Sequence, residues 1–323
     1  MTLPLLRRFP GLARLPRRAL GRFPTPIHQA EGLAPGLWIK RDDLSAAPVG
    51  GNKVRALEFL FGAVEPGRRL VTVGATGSTH ALSTAVYGRL IGARASVGLW
   101  AQEANQTAGR VAMRIQSEAD AVRSFKTPVG AMAWASWRRA TGFTWIPAGA
   151  TSPLGILGHV NAGLELADQI HGGEVPMPAR IVVALGTGGT AAGILLGLRI
   201  AGIGSPVIGA QVVSRVVARA GRVVRLANAA ARLIERYDAS RLPRVDRGML
   251  RIDRDVFGGA YGRELPRGHA LARRLGALEG IELDATYTEK ALAAAVARCD
   301  GAPTVFWLTF DASCLAPPGS GVG

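Results

Sequence analysis

Apolar runs of strand length alternate with amphipathic runs of helix length along most of this 323-residue chain, and that alternation restricts the fold more than any other feature. The strand-like runs are LWIK (37–40), RLVTVG (69–74), ASVGLW (95–100), FTWIPA (143–148), RIVVALG (180–186), PVIGAQVV (206–213) and PTVFWLTF (303–310). Between them lie stretches such as KVRALEFLFGAV and THALSTAVYGRLIG, whose apolar positions recur at helical spacing. Strands in strict alternation with helices predict βαβ units, hence an α/β fold with mainly parallel, twisted sheets covered by helices on both faces. The chain exceeds the size at which a single core stops growing, so two lobes are expected. In such sheets, ligands sit at the carboxyl ends of the strands, where glycine-rich turns lead into helices.

Three turns of that kind stand out: APVGGNK (47–53), GATGSTH (74–80) and GTGGT (186–190). Each precedes a helical stretch and can turn free backbone N–H groups toward an anion. GTGGTAAG at 186–193 also fits the loose GxGxxA pattern of dinucleotide sites, but that reading needs an acidic residue at the end of the next strand to hold a ribose hydroxyl. Gln211 stands there, so a monophosphate suits the loop better. A phosphate site together with one lysine at the end of another glycine turn, Lys53, suggests pyridoxal 5'-phosphate, whose aldehyde condenses with a lysine amine.

The remaining composition narrows the alternatives. A net charge of +16 attracts nucleic acid, anionic membranes and acidic small molecules alike, so it selects no partner. Six arginines in the first 22 residues interrupt every apolar run that could serve as a signal peptide, and an ordered basic N-terminal segment is expected. Residues 214–252 are Arg-rich and periodic, predicting a solvated helix face that leads into a loop. Cys299 and Cys314 fit neither a metal-ligand spacing nor a disulfide framework, which points to a reducing cytoplasm, and no metal site is expected. The longest apolar stretch, at 181–198, is broken by glycines, so no membrane span is expected.

LWIKRDDLSAAPVGGNKVRALEFL resembles the signature of the D-cysteine desulfhydrase and 1-aminocyclopropane-1-carboxylate (ACC) deaminase family, within the tryptophan synthase β-like, fold type II pyridoxal phosphate enzymes. RFPTPIHQAEGL (22–33) is similar to the family's opening segment and TVGATGSTHALSTAVYGRLIGARA (72–95) to its serine loop. IPAGATSPLGILGHVNAGLEL (146–166) is similar to the segment between its domains, and GTGGTAAGILLGL (186–198) to its phosphate loop. GGAYG (258–262) and EGIELDATYTEKAL (279–292) resemble the stretches carrying its two active-site tyrosines. The resemblance implies a larger cofactor-binding domain made of residues 1–53 and 154–323, a smaller domain at 54–153, a homodimer and a small amino-acid substrate.

Residue by residue, the resemblance implies that Lys53 and Asn52 bind the cofactor, with Lys53 also shuttling protons, while Gly186, Thr187, Gly188, Gly189 and Thr190 cradle its phosphate. Ser78 would meet the substrate carboxylate, Thr79 the ring hydroxyl, and Tyr261 and Tyr287 the reacting carbons. Thr288 would sit against the pyridine nitrogen, where ACC deaminases carry Glu and desulfhydrases Thr. A neutral hydroxyl there implies a weaker electron sink, which favours β-elimination over ring opening.

The chain departs from the family pattern at four places. The serine loop has Thr79 in place of asparagine; Ala56 replaces a basic residue; Phe310 and Asp311 replace glycines near the C-terminus; and the tail ASCLAPPGSGVG lacks a closing helix. These departures keep a non-catalytic binding protein of the same fold as a rival, and the positive charge keeps a polyanion-binding protein as a weaker one. His80 is a candidate pocket residue, and Asp42 and Asp43 are expected to be structural.

Overall fold

The structure, a computed structural model, describes residues 2–315. The tail beyond Leu315, on which the expected lack of a closing helix falls, lies outside the described residues. One sheet has six strands in the order β1 (Ile27–Gln29), β2 (Leu37–Arg41), β10 (Thr304–Leu308), β7 (Arg180–Leu185), β8 (Val207–Gln211) and β9 (Leu250–Asp253). Among the described residues, the β1–β2 pair of this sheet is antiparallel and its other pairs are parallel. The second sheet is wholly parallel, in the order β5 (Ala121–Phe125), β4 (Arg94–Trp100), β3 (Arg69–Ala75) and β6 (Thr144–Trp145). Its central pair runs in register from Arg69 opposite Arg94 to Ala75 opposite Trp100.

Among the described residues ten α-helices accompany the strands: α1 (Pro4–Arg8), α2 (Asn52–Leu60), α3 (Thr79–Leu90), α4 (Gln106–Glu118), α5 (Pro128–Ala140), α6 (Leu157–His171), α7 (Gly189–Ile200), α8 (Ala220–Tyr237), α9 (Pro266–Glu279) and α10 (Thr288–Val296). Buried aliphatic residues on both faces of the six-stranded sheet explain why its inner strands read as unbroken apolar runs: Ile181 and Val183 face the α6–α7 side, and Val182 faces α10. Arg7 bonds Asp168 on α6, Arg14 bonds the Tyr237 carbonyl, and Arg17 bonds Glu58, so the basic N-terminal segment is fastened to the body.

Last in the chain, β10 enters the middle of the sheet, with Val305 opposite both Trp38 and Ile181. Because β2, β10 and β7 are parallel, their carboxyl ends open on one edge. The chain leaves them toward Lys53, toward Thr309 and Phe310, and toward the Gly186–Thr190 turn.

Four strands differ from the sequence reading, the first being the three-residue β1, which no apolar run announces. FTWIPA contracts to the two residues of β6, because the chain bends away at Pro147 into a turn at 148–150. β5 (AVRSF) is an edge strand held by its ladder to β4, without an apolar run to announce it. The Arg-rich stretch does form an amphipathic helix, α8, with Val223, Ala227, Ala230 and Ile234 inward, but its last residues pair with β8 as strand β9.

Candidate active site

Lys53 is the second residue of α2, and its helix is locked at the site by its neighbours. The Asn52 N–H donates to the Thr309 carbonyl (3.0 Å), and the Asp311 N–H to the Gly50 carbonyl (3.3 Å). Thr309 and the departure at Asp311 therefore form a backbone brace for the turn before Lys53, and the ring of Phe310, the other departure, fills the core beside Val54 and Leu57. Asn52 Nδ2 donates to Thr190 Oγ1 at 2.7 Å, tying the lysine helix to the first turn of α7.

The Gly186–Thr190 turn leads from β7 into α7. Gly188 has φ +91°, and a Cβ there would lie 2.8 Å from the Val223 side chain, so only glycine fits both the backbone and the space. The leading N–H groups of a helix have no intrahelical acceptor and carry its positive dipole end. This turn and the start of α7 form a cradle for a phosphate.

Lys53 Nζ donates to the Gly149 carbonyl at 3.4 Å. That carbonyl belongs to a turn with two consecutive left-handed residues, Gly149 (φ +68°) and Ala150 (φ +59°). A non-glycine residue in that region is unusual and stores strain. Thr151 Oγ1 bonds both the Gly149 carbonyl (3.4 Å) and Thr187 Oγ1 (2.5 Å), so a short polar chain runs from the amine to the phosphate cradle. Burial, with no carboxylate to offset it, lowers the Lys53 pKa to about 8.

Arg55, two residues on, has the opposite surroundings. Its guanidinium takes Asp42 (2.7 Å) and Glu165 (2.9 Å), and Lys40 takes Glu165 (2.5 Å), the Thr25 carbonyl and Gln169. All four ionic side chains are buried. The two cations hold Glu165 down at about 2 against its own desolvation, and the carboxylates keep Arg55 charged. Asp42 is thus structural, as expected, but as a member of this buried cluster; Asp43 pairs with Arg41 at 2.7 Å.

Ser78 caps α3, its Oγ accepting from the Ala81 N–H (3.2 Å), and Thr79 opens the helix. α3 packs on the 148–150 turn and on α2, and His80 in its first turn lies near enough to Lys53 to feel its charge. His80 bonds Thr72 Oγ1 at 2.8 Å. Thr72 gives its one proton to the Ile146 carbonyl (2.9 Å), so His80 is the Nε2–H donor and its buried Nδ1 is left as an acceptor without a partner. Desolvation, followed by the nearby Lys53 charge, lowers its pKa to about 3, which keeps the ring neutral.

Tyr261 and Tyr287 meet: their hydroxyls hydrogen-bond each other and their rings cross edge-on at 71°. Burial raises both phenol pKa values. Thr288, fully buried at the start of α10, has both its N–H and its hydroxyl on Asp284. A further segment closes the arrangement. Gln102 Oε1 accepts from the Gly77 N–H (2.9 Å), the Glu103 N–H donates to the Tyr261 carbonyl (3.3 Å), and Asn105 Nδ2 donates to the Gly262 carbonyl (2.7 Å). Residues 102–105 thereby join the Ser78 turn to the Tyr261 loop. The sequence reading named none of Gln102, Asn105, Asp284 or Glu165.

The chain matches the family described as "Pyridoxal-phosphate dependent enzyme" over residues 19–309. It belongs to that family. The D-cysteine desulfhydrase of Klebsiella pneumoniae (strain 342) is 31% identical over 300 residues, spanning 88% of each chain. Among solved structures, an ACC deaminase homologue superposes with a TM-score of 0.79 at 26% identity, covering 97% of this chain and 95% of its own. A threonine deaminase from Solanum lycopersicum shares the fold at 16% identity, with a TM-score of 0.63 over 97% and 88% of the two chains. The fold is therefore that of the fold type II pyridoxal phosphate enzymes.

The residues present fit the cofactor of this pyridoxal phosphate family. The glycine cradle at 186–190 suits a phosphate, and the amine of Lys53, eased toward its neutral form, suits condensation with an aldehyde. Among the described residues no helix is long and apolar enough to cross a membrane.

Proposed function

We propose that this protein is a lyase that removes the β substituent of a small amino acid, in the manner of a D-cysteine desulfhydrase, giving a 2-oxo acid and ammonia. One observation carries the reading: a desolvated lysine amine without a counter-charge, on a helix start that the adjacent Asn52 side chain ties to Thr190 of a glycine-rich phosphate cradle. The name of the Klebsiella relative supports cysteine of the D configuration as the first substrate to try. Pyridoxal phosphate, when bound, supplies the electron sink for the negative charge left at the α carbon.

The chain's own residues then divide the work. Lys53 Nζ takes the α proton, and the Gly149 carbonyl 3.4 Å away steadies the resulting ammonium. The α3 N-terminus, with the Ser78 hydroxyl, holds the substrate carboxylate. The Tyr261–Tyr287 pair, with both phenols kept protonated by burial, delivers a proton to the departing thiolate. Elimination releases hydrogen sulfide, and water then converts the enamine product to the 2-oxo acid and ammonia. Thr79 would hold the cofactor's ring hydroxyl, Gly186 through Thr190 its phosphate, and Thr288 its ring nitrogen.

The same reading takes 1–53 with 154–323 as the larger lobe and 54–153 as the smaller, in a cytoplasmic homodimer. ACC ring opening is the second reading, supported by the ACC deaminase homologue's similarity. The test is to load purified protein with pyridoxal phosphate, reduce with borohydride and map the label. A pyridoxyl group on Lys53, together with 2-oxo acid release from D-cysteine but not from ACC, is the expected result. Label on Lys53 without turnover of D-cysteine, β-chloroalanine or ACC would favour the non-catalytic binding protein that Thr79 raises.

A further inference from the structure

The buried environment of Thr288 differs from what a lone threonine implies. Its Oγ1 accepts a hydrogen bond from the Asp284 N–H at 2.7 Å and lies 2.7 Å from Asp284 Oδ2 and 3.2 Å from the Asp284 carbonyl. A hydroxyl has one proton to give. Both acceptors within reach belong to Asp284, and the nearer is the carboxylate. That carboxylate also receives the Tyr287 N–H on Oδ1 (2.7 Å) and the Thr288 N–H on Oδ2 (3.1 Å). Burial pushes the Asp284 carboxyl up from its ordinary range, and the three donors that converge on it, two backbone N–H groups and the Thr288 hydroxyl, oppose that shift and favour the ionised acceptor. Asp284 and Thr288 are both buried, at 1% and 0% exposure, so solvent does not compete for these bonds.

Resting on the cofactor reading above, we propose that Asp284 is a positioning residue that fixes the polarity of the Thr288 hydroxyl and thereby the protonation of the cofactor's ring nitrogen. With its proton committed to Asp284, the hydroxyl faces the ring nitrogen with a lone pair only. A lone pair can accept from a protonated ring nitrogen and has nothing to offer an unprotonated one. The carboxylate therefore acts through the hydroxyl to favour the pyridinium form, and the ring is a stronger electron sink than a bare threonine contact would make it. The electronic advantage of a carboxylate is kept while a small neutral group makes the contact.

The experiment is the 15N chemical shift of the ring nitrogen in holoenzyme reconstituted with ring-15N pyridoxal phosphate. Wild-type protein is expected to give a pyridinium shift. Asp284→Asn can turn the bond around, its amide donating to Thr288 Oγ1 so that the hydroxyl donates to the ring, and is expected to give the neutral pyridine shift. A neutral shift in wild type overturns the proposal, as does a pyridinium shift retained in folded Asp284→Asn. Should Asp284→Asn fail to fold, Thr288→Ser and Thr288→Val decide: Ser keeps the pyridinium and Val loses it, and retention in Val overturns the proposal. Absence of any bound-cofactor signal overturns the cofactor reading and this proposal with it; a bound cofactor with the wrong shift overturns this proposal alone.

Discussion

Lys53 and Arg55 stand two residues apart on one helix and meet opposite electrostatic fates. Beneath the helix, Arg55 and Lys40 face Asp42 and Glu165, two cations against two carboxylates, in a sealed cluster. At the helix start, Lys53 meets a carbonyl, and no carboxylate offsets its desolvation. Burial penalises charge at both positions, so the partners decide the outcome: Arg55 stays a cation, and Lys53 moves toward a neutral amine. The difference teaches that the helix is anchored by one charge so that the other can be left unpaired. An amine eased toward neutrality is the form that attacks an aldehyde and accepts a proton.

The strongest way to break this contrast is to make position 53 permanently cationic. Lys53→Arg retains a long basic side chain but removes the titratable amine. Turnover of D-cysteine, followed as 2-oxo acid release, is expected to fall by at least about 10⁴-fold, the scale set by loss of a nucleophile and proton carrier. Borohydride should then leave no pyridoxyl label on the α2 peptide. A drop of less than about tenfold would mean that Lys53 is not the reacting group.

The next effect falls on the anchoring side. Glu165→Gln leaves Arg55 and Lys40 with only Asp42 between them, and removing one member of a buried ionic cluster destabilises by about 3–5 kcal/mol. Urea unfolding of cofactor-free protein measures it. The same cluster predicts an acid transition. Glu165 is depressed to about 2 in the folded protein from an ordinary 4.5, so its contribution is present above about pH 4.5 and is lost as the pH falls toward 2. In Glu165→Gln that part of the acid dependence should disappear.

Lys53→Met should act with the opposite sign. Below about pH 8 the ammonium is charged in both folded and unfolded states, and the folded state alone bears the desolvation. Between about 8 and the ordinary 10.5 the folded amine loses its proton first, so the penalty relaxes as pH rises. Cofactor-free Lys53→Met is therefore expected to be more stable than wild type at pH 7, by about 1–2 kcal/mol after allowance for partial solvent access, with the advantage fading toward pH 10.5. An inactive but stabilised variant is the pattern expected of a residue held for function against stability. Equal or lower stability would show that Lys53 packs as a structural residue.

The two sides of this contrast were unequally legible in the sequence. Lys53 and the 186–190 turn announce themselves because strand, glycine turn and helix start are contiguous, and the local chain carries the chemistry. The anchoring cluster is invisible at that level: Lys40 meets Glu165 across 125 residues, and Arg55 meets it across 110. Nothing near Glu165 in HVNAGLELADQ marks it as an ion-pair partner. Asp284 hides for another reason. It sits in a loop before α10, where an acidic residue ordinarily reads as a helix cap, and only the position of the Thr288 hydroxyl gives it a second role. Gln102 and Asn105 lack a sequence signal because their partners, Gly77 and Gly262, are reached through backbone groups that any residue carries. The parallel core was readable since its inner strands are continuously apolar, whereas β5 and β9 depend on ladder bonds to a neighbouring strand.

The smallest expected effect sharpens the contrast at the start of α3, where Ser78 has both a cap bond and a free hydroxyl proton. As a cap, its Oγ accepts from the Ala81 N–H; as a ligand, its O–H donates to the substrate carboxylate. Ser78→Ala removes both functions and should lower stability by about 1 kcal/mol while raising KM for D-cysteine. Ser78→Asn separates them, because Asn caps about as well as Ser but replaces the hydroxyl with a bulkier amide. Its stability should match wild type while KM still rises. If Ser78→Asn restored both stability and KM, Ser78 would be a cap alone, and the carboxylate would be held by the backbone N–H groups of the α3 start. The neutral half of the site would then consist of main-chain donors around a single side-chain amine.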